Sequence, residues 1–241
     1  KVLPGYAFDV DGKLTLQGTA GNPVVFTSNR DNSYGGDTDP GSTPPAATDW
    51  KGLSLNYGGG VGTTSFQYVT LRYATTALYL RNLSGGSVSP SRAHNRFEFS
   101  DSGLILDAGD GDITSLIQDN HLYKNTFGLQ AYSTSLGMVL VDLQNNYFEE
   151  NSAYPLVLFG NSFPSYSGNT FSLNGNQGIA VGDLIDLSNP WVKVPVSPAP
   201  GAAILPYVVD NFREIAADTI LQIPAGLVIK FGSNAQMSVS G

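Results

Sequence analysis

Apolar and polar residues alternate along most of this chain with a period of two. Phe97 and Phe99, then Leu104 and Leu106, are each separated by one residue, and Met138-Val139-Leu140-Val141 forms a short apolar run. That period belongs to β-strands, whose successive side chains point to opposite faces, and not to helices. Asn, Gly and Ser interrupt the pattern every five to eight residues, so the strands are short and joined by tight turns.

A longer period lies over the short one. Asn95-Arg96-Phe97 with Ser100 returns as Asn120-His121-Leu122 with Asn125, as Asn146-Tyr147-Phe148 with Asn151, and as Asn169-Thr170-Phe171 with Asn174. The copies are 25, 26 and 23 residues apart, and Val69-Thr70-Leu71 with Ala74 continues the apolar frame one copy earlier without the asparagines. A unit this short cannot bury its own apolar face, so it stacks on its neighbours as a solenoid. About 25 residues with three short strands make one coil of a parallel β-helix. At equivalent corners, coils about 4.8 Å apart would stack Asn95, Asn120, Asn146 and Asn169 in one hydrogen-bonded ladder, and Asn125, Asn151 and Asn174 in another.

These motifs resemble the right-handed parallel β-helix repeat family of secreted and surface bacterial proteins, in particular non-catalytic members of the pectate-lyase-like fold superfamily. Family coils often read N-x-F-x-x-N-x-x-G-I, and Asn169-Thr170-Phe171-Ser172-Leu173-Asn174 with Gly178-Ile179 is similar. Gly12-Lys13-Leu14 through Gly18-Thr19, then Pro23-Val24-Val25-Phe26-Thr27-Ser28, resembles the family's opening coil, and Trp50-Lys51-Gly52-Leu53 resembles a later Trp-x-Gly segment. The resemblance implies an all-β, single-stranded, right-handed parallel β-helix over residues 1–241, here expected to hold eight to ten coils. The strong preference of parallel crossovers points to the same hand. It implies little about activity, because the fold carries lyases, hydrolases, phage tailspikes and adhesin stalks alike.

Two stretches should leave the solenoid. Residues 29–49 are polar with Pro40, Pro44 and Pro45, and residues 186–206 carry Pro190, Pro195, Pro198, Pro200 and Pro206; both read as loops. The ends resemble each other. Ile223-Pro224-Ala225-Gly226-Leu227-Val228-Ile229-Lys230-Phe231 is similar to Leu3-Pro4-Gly5-Tyr6-Ala7-Phe8-Asp9-Val10, and Met237-Ser238-Val239-Ser240-Gly241 is similar to Leu14-Thr15-Leu16-Gln17-Gly18. Three explanations stay open: one period of a tandem array, a subunit whose last coil stacks on another copy's first, or two coils that happen to be alike.

Composition narrows the partners. Charged residues are 13 % of the chain, and 12 basic against 20 acidic residues give a net charge of −8, which disfavours nucleic acid and anionic membranes. No cysteine is present, which excludes disulfides and thiolate chemistry. No apolar run approaches the roughly 20 residues that span a bilayer. Lys1 in place of an initiating Met suggests a mature or excised chain.

Candidate chemistry is sparse. Asp107, Asp110 and Asp112, and Asp37 with Asp39, are the best calcium candidates, with Asp9 and Asp11 behind them; calcium needs six to eight oxygens, and no EF-hand or nonapeptide spacing is present. His94 and His121 sit at repeat corners and read as turn residues. Arg96 and Lys124 could share a face with Glu98 and Glu149, as a polysaccharide lyase would need. The paired Asp elements of a polygalacturonase are missing, and Asp101 and Asp119 stand alone. Most aromatics, Phe97, Phe99, Phe148 and Phe171 among them, should lie inside. Tyr6, Tyr57, Tyr132, Tyr154 and Trp191 are candidates for the outside, where rows of aromatics could hold sugar rings. The leading expectation is a non-enzymatic extracellular or cell-surface structural protein, a stalk, filament or adhesin subunit, with other copies end to end or glycans as partners. The alternatives are a polysaccharide lyase or hydrolase and a tailspike-like glycan-binding module.

Overall fold

The structure, a computed structural model, describes residues 1–41, 43–58, 65–89, 91–134, 136–192, 194 and 204–240. It is an all-β parallel solenoid, with no helix among the described residues. Three parallel sheets form its walls. The long sheet has 10 strands, from Ala7–Val10 through Gly52–Tyr57, Thr76–Asn82, Ser102–Ala108, Phe127–Ser133, Leu156–Phe159, Ile179–Ile185 and Tyr207–Ile215 to Ile229–Phe231, with Gln236–Val239 also beside Tyr207–Ile215. The second sheet has 6 strands, from Leu16–Gln17 to Ser165–Ser167, and the third has 6, from Val24–Phe26 to Thr170–Ser172.

All three walls are therefore complete for about six turns, fewer than the eight to ten that chain length suggests. Two things use up the difference. Among the described residues, 29–49 contribute no strand, and those beyond Ile185 add strands to the long sheet but none to the other two. Of the second loop, Asn189–Pro190 pairs with Leu221–Gln222, while Trp191 and Val194 are buried. Residues 193 and 195–203 lie outside the described residues.

Register is strict because one face of each strand is buried and a slip of one residue would turn that face outward. In the long sheet, Leu53, Leu78, Leu104, Leu129, Leu156 and Ile179 stack in one inward column, all at 0 % exposure. Phe148 stacks on Phe171 inside the third wall with ring centroids 4.9 Å apart. Three aromatics depart from expectation. Tyr57 and Trp191 are buried, Trp191 stacking on Tyr207 at 4.7 Å. Phe99 lies at a corner, turned outward, stacked on Tyr73 at 5.4 Å.

Both corners of the third sheet use one device. A residue in the left-handed region is followed by an inward side chain. The pairs are His94-Asn95, Asp119-Asn120 and Asn145-Asn146 where the chain enters the third sheet, and Phe99-Ser100, Lys124-Asn125, Glu150-Asn151 and Leu173-Asn174 where it leaves. The left-handed conformation costs on the order of 1–2 kcal/mol for a residue with a Cβ. The inward asparagines offset it. Asn95 Nδ2 donates to Asn120 Oδ1 (3.0 Å), Asn120 to Asn146 (3.0 Å) and Asn146 to Asn169 (3.0 Å). On the other corner Asn125 donates to Asn151 (3.2 Å) and Asn151 to Asn174 (2.9 Å). Each amide also donates to a backbone carbonyl of the preceding coil, as Asn120 does to Arg92 O at 3.1 Å, so both of its protons are satisfied in a dry interior.

Glycine is required at Gly52, the first residue of its strand. Its φ is +114°, and a Cβ there would stand 1.6 Å from the carbonyl oxygen of Thr76 on the next coil.

Candidate binding groove

Alternation that sends Leu78, Leu80, Leu104 and Leu106 inward sends Tyr79, Arg81, Ile105 and Asp107 outward. Parallel pairing lines these residues up across coils. Tyr79, Ile105 and Gln130 form one outward column, and Arg81, Asp107 and Tyr132 form the next. The outer face of the long sheet thus carries a shallow open pocket of about 530 Å³ lined by Lys51, Thr76, Tyr79, Ile105, Asp107 and Tyr132.

Hydrogen bonds fix its walls. Tyr79 Oη donates to Asp107 Oδ2 at 2.5 Å, and Arg81 Nε lies 3.2 Å from the same oxygen. Tyr132 Oη donates to Gln130 Oε1 at 2.5 Å, and Gln130 Nε2 donates to Ser102 Oγ at 2.6 Å. Burial, with the bond to Asp107 and its charge behind it, pushes the Tyr79 phenol up. Burial does the same for Tyr132. Both stay protonated and act as neutral donors.

A second pocket of about 380 Å³ adjoins it, lined by Phe127, Tyr154, Val157, Phe159 and Asp210 among others. Tyr132 and Phe159 stack at 5.1 Å, so one aromatic pair connects the two pockets. Gly182 leaves room for this, since a Cβ there would come within 2.7 Å of the Phe159 ring. Tyr154 Oη donates to Asp210 Oδ2 at 2.5 Å, and the phenol is pushed up by burial first and by that bond second.

The charged residues of the third sheet share an outer face, as their spacing suggests, but each carboxylate holds a partner. Arg96 Nη2 lies 2.8 Å from Glu98, His121 Nε2 lies 2.9 Å from Glu149, and Lys124 Nζ lies 3.5 Å from Glu150. Burial lowers the pKa of His121 and the Arg96 charge adds to this, against the bond from Glu149. His94 stacks on Tyr68 at 4.9 Å and sits 3.9 Å from Asp119.

Among the described residues no group of three or more His, Cys, Asp or Glu side chains is placed to hold a metal ion. Asp107 faces the groove, Asp112 Oδ1 accepts the Met138 N–H at 2.8 Å, and Asp110 is exposed. Asp37 caps the Asp39 N–H at 3.1 Å, and Asp39 lies 3.6 Å from Arg30. Among the described residues no helix is long and apolar enough to cross a membrane.

Sequence reasoning names Tyr132, Tyr154 and Asp107 but misses Lys51, Tyr79 and Phe159. The parity of Leu78 and Leu80 places Tyr79 outside, but only coil-to-coil register shows that it sits one strand from Asp107. No protein-family model matches the chain, and no curated protein or solved structure matches it significantly. What fold and groove define is a class: a parallel β-solenoid of about six turns with an aromatic and polar groove on its longest sheet.

Proposed function

We propose that this chain is an extracellular, non-enzymatic structural β-solenoid that binds a saccharide along the outer face of its long sheet. The observation that carries this reading is the first pocket, where the Tyr79 and Tyr132 rings stand beside Asp107, Lys51 and Thr76 on one flat wall. Sugars present apolar C–H faces edged by hydroxyls, and they are held by aromatic faces with a few fixed donors and acceptors. The stacked pair Tyr132–Phe159 extends that surface towards the second pocket, which suits a chain of sugars rather than a single ring.

The same residues favour binding over turnover. Asp107 is already engaged by Tyr79 and Arg81, and among the described residues it is the sole carboxylate lining the first pocket. Hydrolysis needs two carboxyl groups flanking one bond. Lys124 and Arg96, the cations expected to serve a lyase, sit against Glu150 and Glu98 on a different wall. The location outside the cell rests on the resemblance to secreted and surface β-helix repeats.

Titration of neutral and acidic oligosaccharides, followed by calorimetry and by chromatography of the sugar, tests this. Saturable binding that is lost in Tyr132→Ala, with the sugar recovered intact, is expected. No binding to any of them, or recovery of cleaved or unsaturated product, would overturn the proposal.

A further inference from the structure

The second pocket of the long sheet, of about 380 Å³, is built differently from the first. Its floor continues the outward column of Tyr79, Ile105 and Gln130, which shrinks to Val157 and then Ala180 on the next two coils. Both face outward, yet Val157 is 3 % and Ala180 9 % exposed, because larger neighbours rise around them. Phe127 and Tyr154 stand towards the start of the strands and Phe159 towards their end.

The far wall comes from an irregularity in the pairing. Val181 pairs with Val209, and Asp183 pairs with Arg213. One strand places a single residue, Gly182, between these pairs, while its neighbour places three, Asp210 to Phe212. A bulge bends its strand and re-aims the side chains it carries. Here it brings Asp210 and Asn211 to the pocket. Tyr154 Oη then donates to Asp210 Oδ2 at 2.5 Å, which fixes the carboxylate at the rim.

The hollow therefore joins an apolar floor to one fixed carboxylate. Among the described residues that line it, Asp210 is the sole charged group. That pairing selects its occupant. A sugar hydroxyl or a free amine would satisfy Asp210 but leave Val157 and Ala180 facing water. An ester or a C-methyl group would cover the floor but bring no donor to the carboxylate, whose burial without a partner is costly. A carboxylated or sulfated unit would meet Asp210 with like charge. A secondary amide that ends in a methyl group meets both demands, and an N–H donated to an ionised acceptor is among the stronger hydrogen bonds.

Resting on the saccharide reading above, we propose that this hollow seats the acetamido group of an N-acetylated sugar, with its methyl on Val157 and Ala180 and its N–H on Asp210. The remaining units run over the Tyr132–Phe159 pair into the first pocket.

Chito-oligosaccharides, their de-N-acetylated forms and cello-oligosaccharides share one backbone and differ in this group alone, so calorimetry of the whole chain with each of them tests the assignment. The N-acetylated set should bind about tenfold tighter or more, the discrimination an apolar pocket gives for one small group. Saturation-transfer NMR should show the acetyl methyl in contact with the protein. Ala180→Leu, which fills the floor, and Asp210→Ala, which removes the acceptor, should each abolish most of the preference and leave cello-oligosaccharide binding unchanged. Asp210 is exposed, so its variant reads the preference even if Ala180→Leu fails to fold. Equal affinity for the three sets, a preference untouched by Asp210→Ala, or binding of acidic oligosaccharides alone would overturn this inference and leave the saccharide reading standing. No binding of any sugar would overturn both.

Discussion

Asn146 Oδ1 receives two hydrogen bonds from Asn120, one from its side-chain Nδ2 and one from its backbone N–H, both at 3.0 Å. A single oxygen thus closes a corner of one coil and ties it to the next. Both residues are at 0 % exposure, so water cannot substitute.

Replacing Asn120 by Ala should therefore cost more than one hydrogen bond. It strands the Asn95 N–H and one of the two amide protons of the Asn95 side chain together, the other proton staying on the Phe66 carbonyl. Each buried group left unpaired costs about 1–3 kcal/mol, so a loss of about 3–5 kcal/mol in urea unfolding is expected. A loss below about 1 kcal/mol would show that the ladder does not hold the coils.

Leu173 points the other way. It is 73 % exposed and held at φ +54°, with no burial to offset the strain. Leu173→Gly or Leu173→Asn should stabilise the protein by about 0.5–1 kcal/mol in the same measurement. The same change at Phe99 should gain less, because Phe99 stacks on Tyr73.

Gly52 and Gly12 make a matched pair. A Cβ at Gly52 meets the Thr76 carbonyl at 1.6 Å, while one at Gly12 meets nothing within 4 Å. Gly52→Ala should destabilise by several kcal/mol or prevent folding, and Gly12→Ala should change the melting temperature little.

The pH response should run through His121. Burial lowers its folded pKa below the ordinary 6.5, so the folded chain binds this proton less readily than the unfolded chain. The stability it contributes is present above pH 6.5 and falls as pH drops through that value and the lower folded one. Urea midpoints at pH 7.5 and 5 should show this loss, and His121→Gln should reduce the slope.

The solenoid was legible because its rule is local and repeated. Asn120, Asn146 and Asn169 with the apolar residue two positions on announce both the coil length and the inward corner, and alternation around Leu104 and Leu106 announces the inward face. The coil count was not legible, since nothing local distinguishes residues that extend one wall, such as Gln236–Val239, from residues that complete all three.

Corner residues escaped for a related reason. Propensity assigns a left-handed position to Gly or Asn, yet Phe99, Lys124, Glu150 and Leu173 take it because the inward polar residue after each one, Ser100 or an asparagine, fixes the turn. The groove needed more still. Tyr79 and Asp107 are 28 residues apart, and Tyr132 follows 25 residues later; only stacking brings them together. Residue order by itself determined the coil repeat, the asparagine corners and the inward face of the strands around Leu104 and Leu106, though not the faces of Tyr57, Phe99 and Trp191. Tertiary structure decided which outward side chains become neighbours, because the distance between coils is set by backbone pairing across the long sheet and not by any signal within one strand.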